Sequence, residues 1–339
     1  MQPEKKTEQH SAPTAADTRH PLSHNDRSAV AAMRAAVAPL KGTMCGPDAR
    51  APFDDVMEQT PDAPRVTYET SNLRGVTGIW CTPAGAQPNA AILYLHSGAY
   101  VLGSAHAYRH FAGQIAARSK AAVFIAEYRL APEHPFPAAL DDARAAYRGL
   151  IESGVGTIAV VGDSAGGGLT LALLSLVASE SVPPVAAVVM SPWADLALTG
   201  GSLEDRADED PLLTKDMLSK TSTSYLGGHD PRDPLASPLY GDLAGHPPIQ
   251  LHVGTSEILL DDSLRYAERA HSAGVEATVH VWEGMTHVFA SSVGTLEAAE
   301  NALNLLGSFL FAKLRRRPEP TARQVADKAS QDVDGRGRT

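Results

Sequence analysis

The stretch VVGDSAGGGL, Val160 to Leu169, sets one hydroxyl among glycines directly after a run of apolar β-formers. A serine raised on a sharp turn needs a strand before it and a helix after it. It also needs small residues two positions to either side, because the turn brings their backbones close together. IAVV supplies the strand, Gly162 and Gly166 flank Ser164, and LTLALLSLVAS supplies the helix. The amides at the start of that helix point at the hydroxyl and favour negative charge beside it. The plainer alternative is a strand-to-helix turn in which Ser164 only caps the helix. The presence of all three parts favours a nucleophile.

Outward from this turn, short apolar runs alternate with helical patterns, which predicts an α/β fold with a mostly parallel sheet covered on both faces. The runs are Ala91–Leu95, Ala122–Ala126, Ile158–Gly162, Ala186–Met190, Ile249–Val253 and Thr278–Trp282. Helical patterns cover His106–Arg118, Pro137–Ile151, Ala165–Ala178, Ser263–Ala273 and Leu296–Leu314. Arg65–Thr70 and Val76–Thr82 read as an antiparallel hairpin around SNLRG. Two helical stretches stand outside the alternation, Ser28–Leu40 and Leu203–Leu226. They are expected to pack together as a cap over the C-terminal edge of the sheet, where open α/β sheets bind ligands. The expected division is a cap from 26–60 and 196–232 on a catalytic body of 61–195 and 233–315. The polar stretches 1–25 and 316–339 bury too little apolar surface to order themselves and read as flexible tails.

Composition narrows the function. The chain of 339 residues is 43% hydrophobic, carries a net charge of −10, and has no basic block beyond Lys313–Arg317, so no nucleic-acid footprint is present. Cys45 and Cys81 are too few for a disulfide framework, and the scattered histidines form no HExxH-like pair, so no metal is expected. The N-terminus lacks the apolar core of a secretory signal and no apolar run approaches the roughly 18 residues of a membrane span. The chain reads as cytoplasmic, with no membrane span.

A serine at its ordinary pKa needs a base, itself oriented by an acid. The turn at Ser164 resembles the nucleophile elbow of α/β hydrolases, and that resemblance implies the chain order Ser, acid, His. Of the six histidines after Ser164, His252 and His280 lie inside strands, His271 near a helix end, and His229 and His246 in Pro/Gly-rich loops. His287 follows a strand directly, in EGMTHVF, and is best placed as the base. By the same logic the acid follows the preceding strand in GTSEILLDD, where Glu257 comes first. Asp261 and Asp262 stand at the start of the next helix, where capping suits them. Asp195, in SPWADL, is the other acid at a strand end and the second candidate for the role, with a loop or cap hydrogen bond as its plainer alternative. HSGAY, His96 to Tyr100, follows the strand AILYL, where the α/β-hydrolase pattern carries an HGGG-type loop, and that likeness implies backbone donors for an oxyanion here, with the amide of Ala165 as the other. The donors at Ser97 and Ala99 stay available where the local φ is not positive. His96 reads as a side chain that stabilises this loop. Tyr100, Trp193, Tyr225, Met285 and Phe289 flank these loops as pocket-lining or core residues.

Taken together, GDSAGGGL, the HSGAY loop, EYRLAPEHPFPAAL, the Asp141/Asp142 pair, SPWADL, DPLASPL, VGTSEILLDD and GMTHVF resemble the hormone-sensitive lipase family of α/β hydrolases, over roughly residues 28 to 315. The resemblance implies an eight-stranded sheet with a helical cap and no cofactor. It also implies a small-molecule substrate, an ester of short to medium acyl chain. Its catalytic positions fall on Ser164, Glu257 and His287, and its oxyanion donors on Gly98, Ala99 and Ala165. It suggests a homodimer joined through the edges of the last strands. The family usually has Asp where Glu257 stands, and HGGG where this chain has HSGA. The expected activity is therefore a serine carboxylesterase. Its alternatives are a lactone hydrolase or deacetylase with the same side chains and, more remotely, a non-catalytic binding module on this fold.

Overall fold

Every apolar run read as a buried strand becomes one, in a single nine-stranded sheet. The computed structural model describes residues 17–315. In chain order the elements are β1 (Asp17–His20), α1 (His24–Val37), α2 (Arg50–Met57), β2 (Val66–Leu73), β3 (Val76–Pro83), β4 (Ala90–Leu95), α3 (Arg109–Ser119), β5 (Ala122–Ala126), α4 (Ala138–Glu152), β6 (Thr157–Asp163), α5 (Ser164–Val177), β7 (Ala186–Met190), α6 (Ser202–Asp205), α7 (Lys215–Leu226), β8 (Ile249–Gly254), α8 (Leu260–Ser272), β9 (Ala277–Trp282) and α9 (Glu297–Leu314).

The strand order is β1-β9-β8-β7-β6-β4-β5-β3-β2. Only β3 runs antiparallel to its neighbours, β2 and β5; every other pair is parallel. Parallel strands need long crossovers, and helices supply them while covering both faces. One face packs Leu93, Val160 and Val189 under side chains of α4, α5 and α8; the other packs Ile92, Val161 and Val188 under α3 and α9. Alternate residues of each strand thus enter opposite cores, which is why the runs are apolar throughout rather than alternating.

The hairpin is tighter than SNLRG implied. Strand β2 continues through Leu73, and only Arg74 and Gly75 turn, both at positive φ (51° and 91°), with Asn72 Oδ1 accepting from the Gly75 amide.

The ninth strand departs from the eight that the resemblance implied. Asp17–His20 lies in the stretch expected to be a flexible tail, yet it pairs in parallel with β9, Asp17 opposite Val279 and His20 opposite Trp282. Its sequence, DTRH, offers no apolar run, so the pairing rests on backbone groups and on His20. That ring stacks on Trp282 with centroids 3.8 Å apart. The β9 edge through which dimerisation was suggested is therefore taken by this chain's own β1. The remaining tail expectations, 1–16 and 316–339, lie outside the described residues.

The two stretches expected to form a cap meet each other: the Gly42 amide donates to the Leu212 carbonyl at 2.9 Å and Lys41 Nζ to the Ala207 carbonyl at 2.6 Å. Both stretches send side chains over the end of β6, where α5 begins.

Candidate active site

Ser164 sits at the junction of β6 and α5 with φ +51°, a strained value for a residue with a Cβ. The flanking glycines make that turn sterically possible. A Cβ on Gly162 would lie 2.2 Å from the Gly166 carbonyl oxygen, and one on Gly166 would lie 2.0 Å from that of Leu95. Asp163, fully buried beneath the turn, accepts from Tyr94 OH at 2.6 Å and from Tyr108 OH at 3.3 Å. Burial pushes its carboxyl up to about 6, against the pull of the Tyr94 and Ser97 hydrogen bonds and the charge of His287.

His287 and Glu257 meet Ser164 from the loops after β9 and β8. The Ser164 hydroxyl donates to His287 Nε2 at 2.8 Å, and His287 Nδ1 donates to Glu257 Oε2 at 2.8 Å. The other oxygen of Glu257 accepts from Ser191 Oγ at 2.8 Å and from the Gly254 amide at 2.7 Å. Ser191 Oγ also accepts from the Val288 amide at 3.0 Å, so one hydroxyl ties the loop of Glu257 to the loop of His287. The longer glutamate is thus held at both oxygens. Burial alone would lower the pKa of His287. The hydrogen bond and charge of Glu257, with the charges of Asp210 and Asp163, outweigh it and raise the value above the ordinary 6.5.

The competing acids are engaged elsewhere. Asp195 accepts from the amides of Ala197 and Thr199, the hydroxyls of Thr199 and Tyr240, and Arg265 Nη1 at 3.1 Å. These contacts, with the Arg265 charge, outweigh its burial and hold its carboxyl below the usual range. Asp262 does not cap α8 as expected; it accepts from the Ala194 and Asp195 amides and so pins the SPWADL loop. Asp261 likewise accepts from the Ser202 amide. Of the other histidines, His252 and His280 are built into the sheet, His271 bonds the Ala277 carbonyl, His246 contacts Ser175 and Tyr266, and His229 packs against Phe136. His96 donates from Nδ1 to the Ser97 carbonyl and stacks on Tyr128, a loop-holding arrangement.

The HSGAY loop brings Gly98 and Ala99 to the same cavity as Ser164 and His287. Among the described residues, the amides of Gly98 and Ala99 donate to no protein acceptor, and Ala165, in the first turn of α5, is placed to leave its amide free as well. The condition set on these donors is not met at Ala99, whose φ is +53°, but its amide is left without a protein acceptor all the same, because a left-handed backbone redirects an N–H without removing it. The left-handed backbone is forced by the turn that folds the Val101 and Leu102 amides back onto the Gly98 carbonyl. Gly98 itself is obligatory, since a Cβ there would stand 2.2 Å from the Leu102 carbonyl oxygen. Ser97 hydrogen-bonds the Tyr108 hydroxyl, so its side chain is tied back to the network of Asp163.

Of the five aromatic and methionine residues singled out, only Trp193 lines this cavity. Tyr100 and Tyr225 are fully buried and stack on each other at 3.8 Å. Met285 and Phe289 pack into the core on the α9 side. The cavity, about 190 Å³, is lined instead by apolar residues of the two segments expected to form the cap, 26–60 and 196–232, among them Leu40, Phe53, Val56, Leu213 and Met217. Leu40, Leu213 and Met217 fall in stretches read as helical from the sequence, whereas Phe53 and Val56 lie on α2, which was not read as a helix; which of them face the serine depends on how the two segments fold over the sheet.

A family model described as alpha/beta hydrolase fold matches residues 92–291, more than half of the chain, and the chain belongs to that family. Within it, the chain falls with the hormone-sensitive lipase group. A solved esterase from the bacterial hormone-sensitive lipase family is 36% identical, with TM-score 0.80, covering 85% of this chain and 98% of that one. A hormone-sensitive lipase from a metagenome library is 36% identical, with TM-score 0.81, covering 86% and 99%. Among curated relatives, an acetyl-hydrolase of Streptomyces hygroscopicus is 43% identical over 69% of this chain and 79% of its own length. An esterase of Acinetobacter venetianus is 36% identical over 76% and 86%.

Proposed function

We propose that this chain is a serine carboxylesterase acting through an acyl-enzyme. The observation that carries the reading is the unbroken hydrogen-bond chain from Ser164 Oγ through His287 to Glu257, with both links at 2.8 Å. In the proposed reaction His287 Nε2 takes the hydroxyl proton as Ser164 Oγ attacks the ester carbonyl. Glu257 holds the imidazole in the tautomer that leaves Nε2 free and stabilises the imidazolium that forms. The oxyanion is received by the amides of Gly98, Ala99 and Ala165. His287 then returns the proton to the departing alcohol, and a water activated by the same imidazole releases the carboxylic acid and regenerates Ser164. No step asks for a metal or an organic cofactor.

The helical stretches over the sheet act as the cap. Their apolar side chains around the cavity favour an acyl chain or an apolar alcohol group over a charged one. A second reading, removal of an acetyl group from a larger apolar molecule, draws on the 43% identity to the Streptomyces acetyl-hydrolase. Hydrolysis of p-nitrophenyl esters from acetate to laurate, beside Ser164→Ala, tests both. The esterase reading expects turnover that rises from acetate into the medium chain lengths before falling, and that is lost in the variant. A sharp maximum at acetate favours the deacetylase, and turnover that survives in Ser164→Ala overturns both.

A further inference from the structure

Asp210 lies outside every motif that led to the site, yet it is completely buried between the cavity wall and the loop of the acid. One of its oxygens, Oδ1, accepts from the amides of Leu212 and Leu213 at 2.9 and 2.8 Å. The other, Oδ2, accepts from the Ile258 amide at 3.0 Å, and Ile258 is the residue after Glu257. Leu212 and Leu213 are themselves lining residues of the cavity. A single carboxylate therefore bonds, through opposite oxygens, the wall that would touch substrate and the backbone that carries the acid.

The surrounding contacts strengthen that join. Ser202 Oγ donates to the Ile258 carbonyl at 2.7 Å, so both backbone polar groups of Ile258 are held by the segment 202–210. Ser256 Oγ reaches Glu209 at 3.4 Å, and Glu209 in turn pairs with Arg206. We propose that Asp210 is a positioning residue of the active site, fixing the Glu257 loop and the Leu212–Leu213 wall in one register. This rests on the esterase reading above.

Geometry of this kind has an electrostatic consequence. Three carboxylates act on His287: Glu257 from the loop after β8, Asp163 from the end of β6 and Asp210 from the segment after α6. The ring's other hydrogen-bond partner is the Ser164 hydroxyl. Removing the Asp210 charge lowers the proton affinity of the imidazole, whereas breaking the strap elsewhere does not.

The test uses the full chain and a p-nitrophenyl ester, with Asp210→Asn compared with Ser202→Ala. In Asp210→Asn the amide nitrogen must face a backbone N–H on one side or the other, so one of the two joins is lost. The expected result is a kcat lower by roughly tenfold with little change in KM, and an acid limb of kcat/KM displaced to lower pH. Ser202→Ala, which loosens Ile258 without removing charge, is expected to leave the acid limb in place. Should Asp210→Asn not fold, Asp210→Ser, a smaller neutral acceptor, is expected to give the same displacement. If the neutral variant keeps the wild-type acid limb and a kcat within twofold, while Ser164→Ala is inactive, the positioning role is wrong and the esterase reading stands. If Ser164→Ala is as active as wild type, that reading falls and this inference falls with it.

Discussion

Two groups of imidazoles in this molecule have opposite surroundings. His287 has a carboxylate on one ring nitrogen and a hydroxyl on the other, and its pKa is raised. His20, His280 and His252 form a ladder across β1, β9 and β8 without a carboxylate. His20 Nε2 meets His280 Nδ1 at 2.9 Å, Gln250 bridges His280 to His252, and Trp282 Nε1 donates to His252 Nδ1 at 3.3 Å. Burial depresses the pKa of all three, to about 4 for His280. Residue type alone therefore does not make a base. In the proposed reaction the carboxylate partner lets an imidazole carry a proton; its absence from the ladder leaves those rings neutral.

The largest expected effects break one side of this comparison. Ser164→Ala or His287→Ala should reduce kcat for a p-nitrophenyl ester by roughly 10⁵-fold or more, read in steady state against wild type of equal folded content. Glu257→Gln should keep the shape of the site but favour the wrong imidazole tautomer, with a loss of about 10³- to 10⁴-fold in kcat. Asp195→Ala, by contrast, should reduce stability in thermal melts while leaving the Ser164-dependent chemistry within about tenfold, because its partners are the loop 197–199, Tyr240 and Arg265.

On the other side, His252→Phe should leave activity per folded molecule within about twofold and lower stability by about 1–3 kcal/mol, since Trp282 loses its acceptor. The pH dependences should also oppose each other. A histidine with a depressed folded pKa binds protons more readily in the unfolded chain. The ladder's contribution is therefore complete above about 6.5 and shrinks as pH falls towards about 4. The raised pKa of His287 has the reverse sign: its contribution is complete below 6.5 and is lost as pH rises through the folded value. Activity needs that imidazole neutral, so kcat/KM should fall on the acid side from a pH above 6.5. Thermal melts of wild type and His280→Gln between pH 7 and 4 should show a smaller acid loss in the variant.

The same contrast explains what was legible in the sequence. The turn at Ser164 is a local event, specified by glycines whose added Cβ would strike backbone at 2.0–2.2 Å, and it reads directly from spacing. Glu257 and His287 read from their place after strands, because a parallel sheet delivers every such loop to one edge. The cavity lining did not read, since it depends on how two helical stretches separated by more than 150 residues in sequence meet over that edge. Tyr100 and Tyr225, left open between lining and core, stack on each other. Strand β1 was hidden because its pairing is made by backbone, which composition does not register. Asp262 misled by position: the first turn of α8 suggested a cap, but its side chain leaves the helix to hold the amides of Ala194 and Asp195.

The most direct test of the central claim is intact-protein and peptide mass spectrometry after an acid quench during turnover of a p-nitrophenyl ester. The account predicts a mass increase equal to one acyl group, located on the peptide containing Ser164 and absent from Ser164→Ala. An acyl group found on another residue, or turnover in the variant equal to wild type, would contradict it.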